Sequence, residues 1–192
     1  MGFTQTIVTD IDGIIVDYQK LIIKYVKEYL NMNITFEDFT TLNNIKGIPR
    51  DIDNKIFKAG FLKDTPKTYD SIKFLITLKK KGFKIILITD RPPETKEDTI
   101  EDLKEIPYDS IFFKGEKNRI DLVKETTPSF VFEDNPKYIQ EYYALLQSNE
   151  RRPFYRLFFP EYIYNKFLID KLHSPFILTY NTYESVLQYL FK

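Results

Sequence analysis

Short apolar runs alternate with amphipathic segments along most of the chain, and this order limits the possible fold more than any other feature. Strand-like runs occupy 7–10, 83–88, 110–113, 129–132, 155–159 and 176–179, while helical spacing of apolar residues occupies 18–30, 51–59, 69–81, 94–105, about 117–124, 138–146 and 183–190. Strands that alternate with helices form parallel sheets with helices on both faces. The sequence therefore predicts an α/β protein with a Rossmann-like parallel sheet.

One stretch, from 21 to 65, does not follow this alternation. It contains only short helical patterns and loops, so we expect a small helical cap inserted after the first strand. The predicted division is a core domain made of 1–20 and 66–192, with the cap formed by 21–65.

Composition excludes several classes of site. The 192 residues include no cysteine, which excludes disulfides, thiolate catalysis and zinc-thiolate sites, and the single histidine, His173, leaves little for histidine relays. The 28 basic residues balance the 28 acidic ones, which argues against broad, non-specific nucleic-acid binding. Because no apolar run approaches membrane-spanning length and no signal-peptide pattern is present, we expect a soluble, cytoplasmic protein without membrane partners.

Two carboxylates stand at the end of the first strand-like run, in the sequence Asp10-Ile11-Asp12-Gly13. Residues i and i+2 of a strand point to the same face, so both carboxylates project together, and the glycine lets the chain turn. In open α/β sheets this end of a strand is where ligands bind. The pair therefore indicates either a divalent-cation site or a nucleophile beside a proton-transfer group.

The same spacing recurs at Asp51-Ile52-Asp53, where no strand precedes it. There it is typical of the acidic first turn of a helix. A calcium-loop interpretation of the first pair fails as well, because the twelfth position counted from Asp10 is Leu21 rather than a glutamate.

Polar groups also follow two later strands: Thr89 after the run 83–88, and Glu133 with Asp134 after the run 129–132. Lys117 opens the helix between them, although Lys114 and Arg119 are close alternatives. The C-terminal ends of parallel strands share one edge, so we expect these groups to converge. Since the carboxylates would repel one another without a cation, the set predicts a Mg²⁺-dependent phosphoryl-transfer site.

This ordered set resembles the haloacid dehalogenase (HAD) superfamily, whose phosphatases carry D-x-D-G, Ser/Thr, Lys and an acidic pair in that order. The resemblance implies a phosphomonoesterase that works through an aspartyl-phosphate, with Asp10 as nucleophile and Asp12 as general acid and base. It implies that Thr89 and Lys117 are catalytic and bind the phosphoryl oxygens. The implied Mg²⁺ ligands are Asp10, Asp12, Glu133 and Asp134, and of the last two Asp134 is favoured as the direct ligand.

Within the superfamily, the chain most resembles the small-capped 5′-nucleotidases and deoxyribonucleotidases. The shared features are Asp17-Tyr18 after the first motif, Thr89-Asp90-Arg91-Pro92 after the second strand, and the acidic pair before Asn135-Pro136. This implies a small phosphate-ester substrate, a nucleoside monophosphate with the deoxy form favoured. Asp90 would contact that substrate. Tyr18 is favoured as a core-facing helix aromatic, and the nucleotide hypothesis would instead stack its ring on the base. Arg91 would contact solvent or a neighbouring carboxylate.

Two other functions stay open at this point. The run Arg151-Arg152-Pro153-Phe154-Tyr155-Arg156 mixes basic and aromatic residues, so a HAD phosphatase acting on nucleic-acid ends or phosphoproteins is one alternative. A non-catalytic HAD-like binding protein is the other. The sequence predicts neither the leaving group nor the oligomeric state.

Overall fold

The computed structural model describes residues 5–41, 44–58, 60–63, 65–148 and 155–192. The strands are β1 (Thr6–Asp10), β2 (Phe39–Thr41), β3 (Asn44–Ile45), β4 (Lys84–Ile88), β5 (Ser110–Phe112), β6 (Phe130–Phe132), β7 (Arg156–Pro160) and β8 (Ile177–Tyr180). The α-helices are α1 (Tyr18–Tyr29), α2 (Ile52–Lys58), α3 (Ser71–Lys80), α4 (Lys96–Asp102), α5 (Arg119–Thr126), α6 (Pro136–Gln147) and α7 (Tyr183–Leu190). Short 3₁₀ turns cover Phe36–Asp38, Phe61–Lys63, Pro93–Thr95 and Lys166–Leu168.

Six strands form one parallel sheet in the order β5-β4-β1-β6-β7-β8. The central strand β1 pairs with β4 on one side, where Val8 lies opposite Ile86, and with β6 on the other, where Val8 lies opposite Val131. All of these pairs are parallel, so the C-terminal ends of β4, β1 and β6 lie side by side at one edge. The α/β Rossmann-like fold predicted from the sequence is confirmed.

Apolar residues cover both faces of the sheet, as its alternating pattern requires. Ile7 of β1 belongs to a buried cluster that includes residues of α3 and α7, whereas its neighbour Val8 belongs to a second cluster with residues of α5 and α6. Successive strand residues point to opposite faces, which explains this division. Helices therefore pack on both faces and hold the strand ends in place.

The segment between β1 and α3 forms its own apolar cluster, with members from Tyr18 to Leu62. It contains a short antiparallel pair, β2 and β3, where the sequence predicted only helices and loops. Strands of two or three residues are too short to show a period of two, which explains the difference. The boundaries at 21 and 65 stay a prediction.

The two connections between this segment and the sheet run side by side. The backbone N–H of Asp17 donates to the carbonyl of Pro66 at 2.7 Å, and that of Thr68 donates to the carbonyl of Ile15 at 2.9 Å. Asp102 at the end of α4 then accepts a hydrogen bond from Lys67 Nζ at 2.7 Å. These contacts tie the inserted segment to the region beside the sheet edge.

The mixed basic and aromatic run at 151–156 falls largely outside the described residues, which resume at Tyr155. None of the helices in the described ranges is long and apolar enough to cross a membrane.

Candidate active site

The edge at which β4, β1 and β6 end opens into a cavity of about 300 Å³. The sheet side of the cavity carries charged residues from the strand ends and from the start of α5, and the inserted segment closes the opposite side. The residues that line it are Asp10, Asp12, Tyr18, Arg50, Asp53, Asn54, Phe57, Asp90, Arg91, Pro92, Lys114, Arg119, Glu133, Asp134, Asn135 and Tyr138.

Three buried carboxylates form the centre of this edge. Asp10 is the last residue of β1. Glu133 and Asp134 directly follow β6, the strand next to β1 in the sheet. One carboxylate oxygen from each residue lies within 4.8 Å of one from each of the other two, and the three residues are at most 6% exposed. The structure thus brings together three of the four carboxylates that were predicted to bind a metal.

Gly13 allows the Asp134 carboxylate to lie against the turn that follows β1. A Cβ atom at position 13 would lie 2.1 Å from Oδ2 of Asp134, and the glycine has φ = +88°, a conformation that other residues rarely adopt. The D-x-D-G motif therefore needs its glycine for the contact with Asp134 as well as for the turn.

Arg119, rather than Lys117, is the cation beside the cluster. Its Nη2 donates to Asp10 Oδ1 at 2.7 Å and its Nη1 donates to Glu133 Oε2 at 2.9 Å, while the guanidinium lies 4.3 Å from the centre of the Tyr138 ring. Lys117 is placed outside the cavity, where its Nζ contacts Glu125 at 2.7 Å. Lys114 is exposed and lines the cavity wall.

The fourth predicted metal ligand, Asp12, faces Arg91 instead of the carboxylate cluster. The Nε and Nη2 atoms of Arg91 donate to the two oxygens of Asp12 at 2.9 and 2.7 Å. Arg91 is fully buried, and its Nη1 donates to Thr99 Oγ1 at 3.2 Å. A bidentate pair of this kind fixes the orientation of the Asp12 carboxylate.

A groove adjoins this cavity, and Thr89 and Asp90 both line the groove. Thr89 is buried, its Oγ1 accepts a hydrogen bond from the backbone N–H of Arg91 at 3.1 Å, and it lines the groove rather than the cavity. Asp90 lines both and accepts a hydrogen bond from the Tyr138 hydroxyl at 2.8 Å. The predicted Thr89 hydroxyl therefore takes part in the turn after β4 and does not line the cavity.

Tyr18 and α2 form the wall opposite the strand ends. Tyr18 is only 3% exposed, and its hydroxyl donates to Asp53 Oδ1 at 2.7 Å. Arg50, Asn54 and Phe57 line the same wall. The sequence predicts Asp53 only as part of the first turn of a helix, and it does occupy the first turn of α2. No motif in the sequence indicates a role for Arg50, Asn54 or Phe57. These residues reach the cavity because the inserted segment packs over the strand ends.

Burial dominates the electrostatics of the carboxylate cluster. Burial raises the pKa of Asp10 well above its ordinary value even though Arg119 acts in the opposite direction, and burial together with the charge of Asp10 raises the pKa of Asp134. For Glu133, burial outweighs Arg119 and raises the pKa to about 7. Ionised carboxylates this close together repel one another, so an additional cation would stabilise them.

The donor set fits a divalent metal ion. Asp134 Oδ1 is buried and has no hydrogen-bond partner among the described residues, although its Oδ2 accepts a hydrogen bond from Tyr164. Both oxygens of Glu133 accept hydrogen bonds, Oε1 from the backbone N–H groups of Asp134 and Asn135 and Oε2 from Arg119. Clustered carboxylate oxygens, one of them buried and without a hydrogen bond among the described residues, are typical of a binding site for a hard cation such as Mg²⁺.

Comparison with known proteins finds likeness at the level of structure only. No family model matches the sequence, and no curated protein matches it. A HAD family hydrolase from Deinococcus radiodurans, solved with bound phosphate and sodium, superposes with a TM-score of 0.66 at 11% identity, covering 97% of this chain and 95% of that one.

Two further solved structures are similar over nearly their whole length. A hydrolase from Pseudomonas syringae has a TM-score of 0.60 at 16% identity, covering 97% of this chain and 98% of that one. The D,D-heptose 1,7-bisphosphate phosphatase from Burkholderia thailandensis has a TM-score of 0.57 at 12% identity, covering 98% and 100%. The chain therefore has the α/β fold of the HAD hydrolases.

The raised carboxylate pKa values predict how the stability of the metal-free protein depends on pH. Between the ordinary pKa of 4.5 and the folded value of about 7, Glu133 holds a proton in the folded state that the unfolded chain releases. The free energy of unfolding should therefore fall as pH rises through this window, by about 1.4 kcal/mol per pH unit for each such proton. Urea unfolding in EDTA at several pH values measures this slope.

Glu133→Gln is the matched control, because glutamine cannot take up a proton. We expect a flatter dependence on pH in this variant, and equal slopes in the two proteins would contradict the assignment. Added Mg²⁺ should stabilise the unmodified protein more at pH 8 than at pH 5.5, since metal ligands must be deprotonated.

Proposed function

We propose that the chain is a Mg²⁺-dependent phosphomonoesterase that works through an aspartyl-phosphate on Asp10, with a nucleoside 5′-monophosphate as its substrate. The observation that carries this proposal is the buried cluster of Asp10, Glu133 and Asp134 with Arg119 beside it, at the C-terminal edge of a parallel sheet. Ligand sites of open α/β sheets lie at this edge. The likeness to HAD hydrolases, one of them with bound phosphate, supports the reaction class.

Asp10 is the nucleophile in this proposal. A carboxylate oxygen of Asp10 forms a bond to phosphorus as the bond from phosphorus to the ester oxygen breaks, and Asp12, which enters the cycle protonated, gives its proton to the departing oxygen. In the second step Asp12 takes a proton from water, the water oxygen attacks phosphorus, and the bond to Asp10 breaks to release inorganic phosphate. Arg119 holds Asp10 through Oδ1, and Arg91 holds Asp12 through both oxygens.

Asp10 and Asp134 would hold the metal, with Glu133 next to them. Asp134 is the better direct ligand of the acidic pair, because its Oδ1 has no partner among the described residues whereas both oxygens of Glu133 accept hydrogen bonds. When bound, Mg²⁺ would neutralise the carboxylates and the phosphoryl oxygens and make the phosphorus more electrophilic. Asp12 is assigned proton transfer rather than metal binding, because its carboxylate lies against Arg91 and is not part of the cluster of Asp10, Glu133 and Asp134.

Phosphoryl oxygens need fixed donors as negative charge shifts during the reaction. Arg119 reaches Asp10 itself, Lys114 lines the cavity, and Thr89, which follows β4, lines the neighbouring groove. We assign the phosphoryl-binding role to Arg119, with Lys114 in support, because both line the cavity, whereas Lys117 and Thr89 line only the neighbouring groove. The catalytic role of Thr89 stays a prediction.

The inserted segment would bind the leaving group. Its wall combines the half-buried ring of Phe57 with polar groups from Arg50, Asp53 and Asn54, and the cavity of about 300 Å³ suits a small ester. A nucleoside offers a flat base for the aromatic ring and hydroxyl and base edges for the polar groups. Tyr18 supports this wall through its hydrogen bond to Asp53.

One observation favours a second substrate, a phosphorylated nucleic-acid end. A groove of about 610 Å³ adjoins the cavity, shares Asp90, Lys114, Arg119 and Tyr138 with it, and adds Lys117 and Lys137. Such a groove would receive the phosphodiester backbone behind a terminal phosphate. We rank it second, because Lys117 and Lys137 each lie close to a glutamate, at 2.7 and 3.9 Å.

Asp10→Asn tests the covalent mechanism. Asparagine is a poor nucleophile, so turnover of p-nitrophenyl phosphate with Mg²⁺ should fall by about 10³-fold or more. The control is Asp51→Asn, an exposed aspartate with the same D-x-D spacing, which should retain the activity of the unmodified protein. Wild-type turnover by Asp10→Asn would exclude this nucleophile, and no turnover of any phosphate ester by the unmodified protein would favour a binding protein.

Arg119→Met and Lys117→Met form a matched pair that tests the phosphoryl-binding cation. We expect kcat/KM to fall by about 10²–10³-fold in Arg119→Met, as for other fixed donors of this kind, and to stay near the unmodified value in Lys117→Met. Thermal melting with Mg²⁺ establishes that both variants are folded. Loss of activity in Lys117→Met alone would return the role to Lys117.

The substrate assignment is tested with a panel of ribo- and deoxyribonucleoside 5′-monophosphates, sugar phosphates and a 5′-phosphorylated oligonucleotide. We expect the highest kcat/KM for a nucleoside monophosphate. Phe57→Ala should raise KM for that nucleotide more than for p-nitrophenyl phosphate, because only the nucleotide reaches the ring. Phe36→Ala, an exposed phenylalanine of the same segment that does not line the cavity, is the control.

Tyr18→Ala is a poorer test, since removing a buried aromatic ring costs about 3–5 kcal/mol of stability. Faster turnover of sugar phosphates, or equal KM changes for both esters in Phe57→Ala, would exclude the nucleotidase assignment. Higher kcat/KM for the oligonucleotide would favour the groove and the nucleic-acid substrate.

A further inference from the structure

Two residues of the loop that follows β7, Tyr164 and Asn165, form hydrogen bonds to Asp134. The Tyr164 hydroxyl donates to Asp134 Oδ2 at 2.5 Å, and Asn165 Nδ2 donates to the backbone carbonyl of Asp134 at 3.1 Å. Tyr164 is 2% exposed and Asn165 is fully buried. No sequence motif pointed to either residue, and neither has a place in the proposed reaction.

This loop is itself firmly placed. Asn165 Oδ1 accepts a hydrogen bond from the backbone N–H of Tyr162 at 3.0 Å, which closes the turn. The Tyr162 hydroxyl then donates to the carbonyl of Gly13 at 2.8 Å, and the rings of Tyr162 and Tyr164 lie 5.3 Å apart. The loop therefore contacts the end of β1 and the end of β6 together, so its position is set by both strands that carry the carboxylate cluster.

The two oxygens of Asp134 have different surroundings as a result. Oδ2 accepts the hydrogen bond of Tyr164 and lies over Gly13, where a Cβ would come within 2.1 Å of it. Oδ1 is buried and has no partner among the residues that the structure describes. A buried carboxylate oxygen without a donor is costly, so Oδ1 is the oxygen that a cation would stabilise most.

We propose that Tyr164 is a positioning residue of the metal site: its hydroxyl holds Oδ2 of Asp134 so that Oδ1 faces the cation, and Asn165 anchors the same aspartate through its backbone. The proposal rests on the metal-dependent function proposed above and adds the group that sets the affinity of the site. Hydrogen bonds that orient a metal ligand typically change metal affinity by about 10–100-fold when they are removed.

A purely structural role is the competing explanation, because Tyr164 is large and buried. Tyr155 offers a matched comparison. It is also fully buried, its hydroxyl also donates one hydrogen bond, to the carbonyl of Tyr142 at 2.7 Å, and it lies in the apolar cluster of α5 and α6. Removal of either hydroxyl deletes one buried hydrogen bond, but only Tyr164 contacts a carboxylate of the cluster.

The experiment compares Tyr164→Phe and Tyr155→Phe with the unmodified protein after EDTA treatment and dialysis. Calorimetric titration with MgCl₂ and with MnCl₂, without substrate, gives Kd, and thermal melting without metal gives the structural effect. We expect Kd to rise by about 10–100-fold in Tyr164→Phe and to stay unchanged in Tyr155→Phe, with similar losses of metal-free melting temperature. A Kd within twofold of the unmodified protein in a folded Tyr164→Phe would overturn the proposal.

Two further variants complete the test. In an Asp134→Asn background, Tyr164→Phe should have no additional effect on Kd, because its partner carboxylate is gone; a full additional effect would overturn the positioning role. If Tyr164→Phe does not fold, Asn165→Ala takes its place, and an unchanged Kd there overturns the proposal equally. Absence of Mg²⁺ and Mn²⁺ binding by the unmodified protein would instead refute the proposed metal-dependent function.

Discussion

The rest of the candidate site depends on three carboxylates buried at one edge of a parallel sheet. Asp10, Glu133 and Asp134 share this edge with the buried guanidinium of Arg119. Among the described residues Arg119 is the one cation paired with this cluster, which leaves three carboxylates unbalanced, and buried charges without partners are costly. The pKa values of all three carboxyl groups are raised as a result. We therefore infer that a bound metal ion would stabilise their ionised forms.

The order of the strands distributes the tasks around this centre. The neighbour of β1 on one side, β6, supplies the acidic pair, and the neighbour on the other side, β4, leads into the turn whose Arg91 holds Asp12. One strand further out, the loop after β7 supplies Tyr164, which holds Asp134. Groups that would react come from the central strand, and groups that orient them come from its neighbours.

The inserted segment adds what the sheet edge cannot provide, a second wall. Its own apolar cluster gives α1 and α2 a stable relative position, and the paired connections at Asp17 and Thr68 keep it beside the strand ends. Tyr18 belongs to that cluster, and its hydroxyl donates to Asp53 at the cavity wall. Under the proposed function, substrate choice would therefore depend on a region whose apolar cluster is separate from those that cover the sheet.

Local pattern in the sequence determined the sheet, its parallel strands and the meeting of Asp10 with Glu133 and Asp134, because strand periodicity and the shared edge of parallel strands are enough to place those residues. Tertiary structure decided the rest. The helix α5 begins at Arg119, two positions after the Lys117 that was expected to open it, and this difference is smaller than the precision with which a helix start can be predicted. Only packing could therefore select Arg119. Asp53 and Tyr164 reach the site from segments distant in sequence, and no spacing in the chain encodes such contacts.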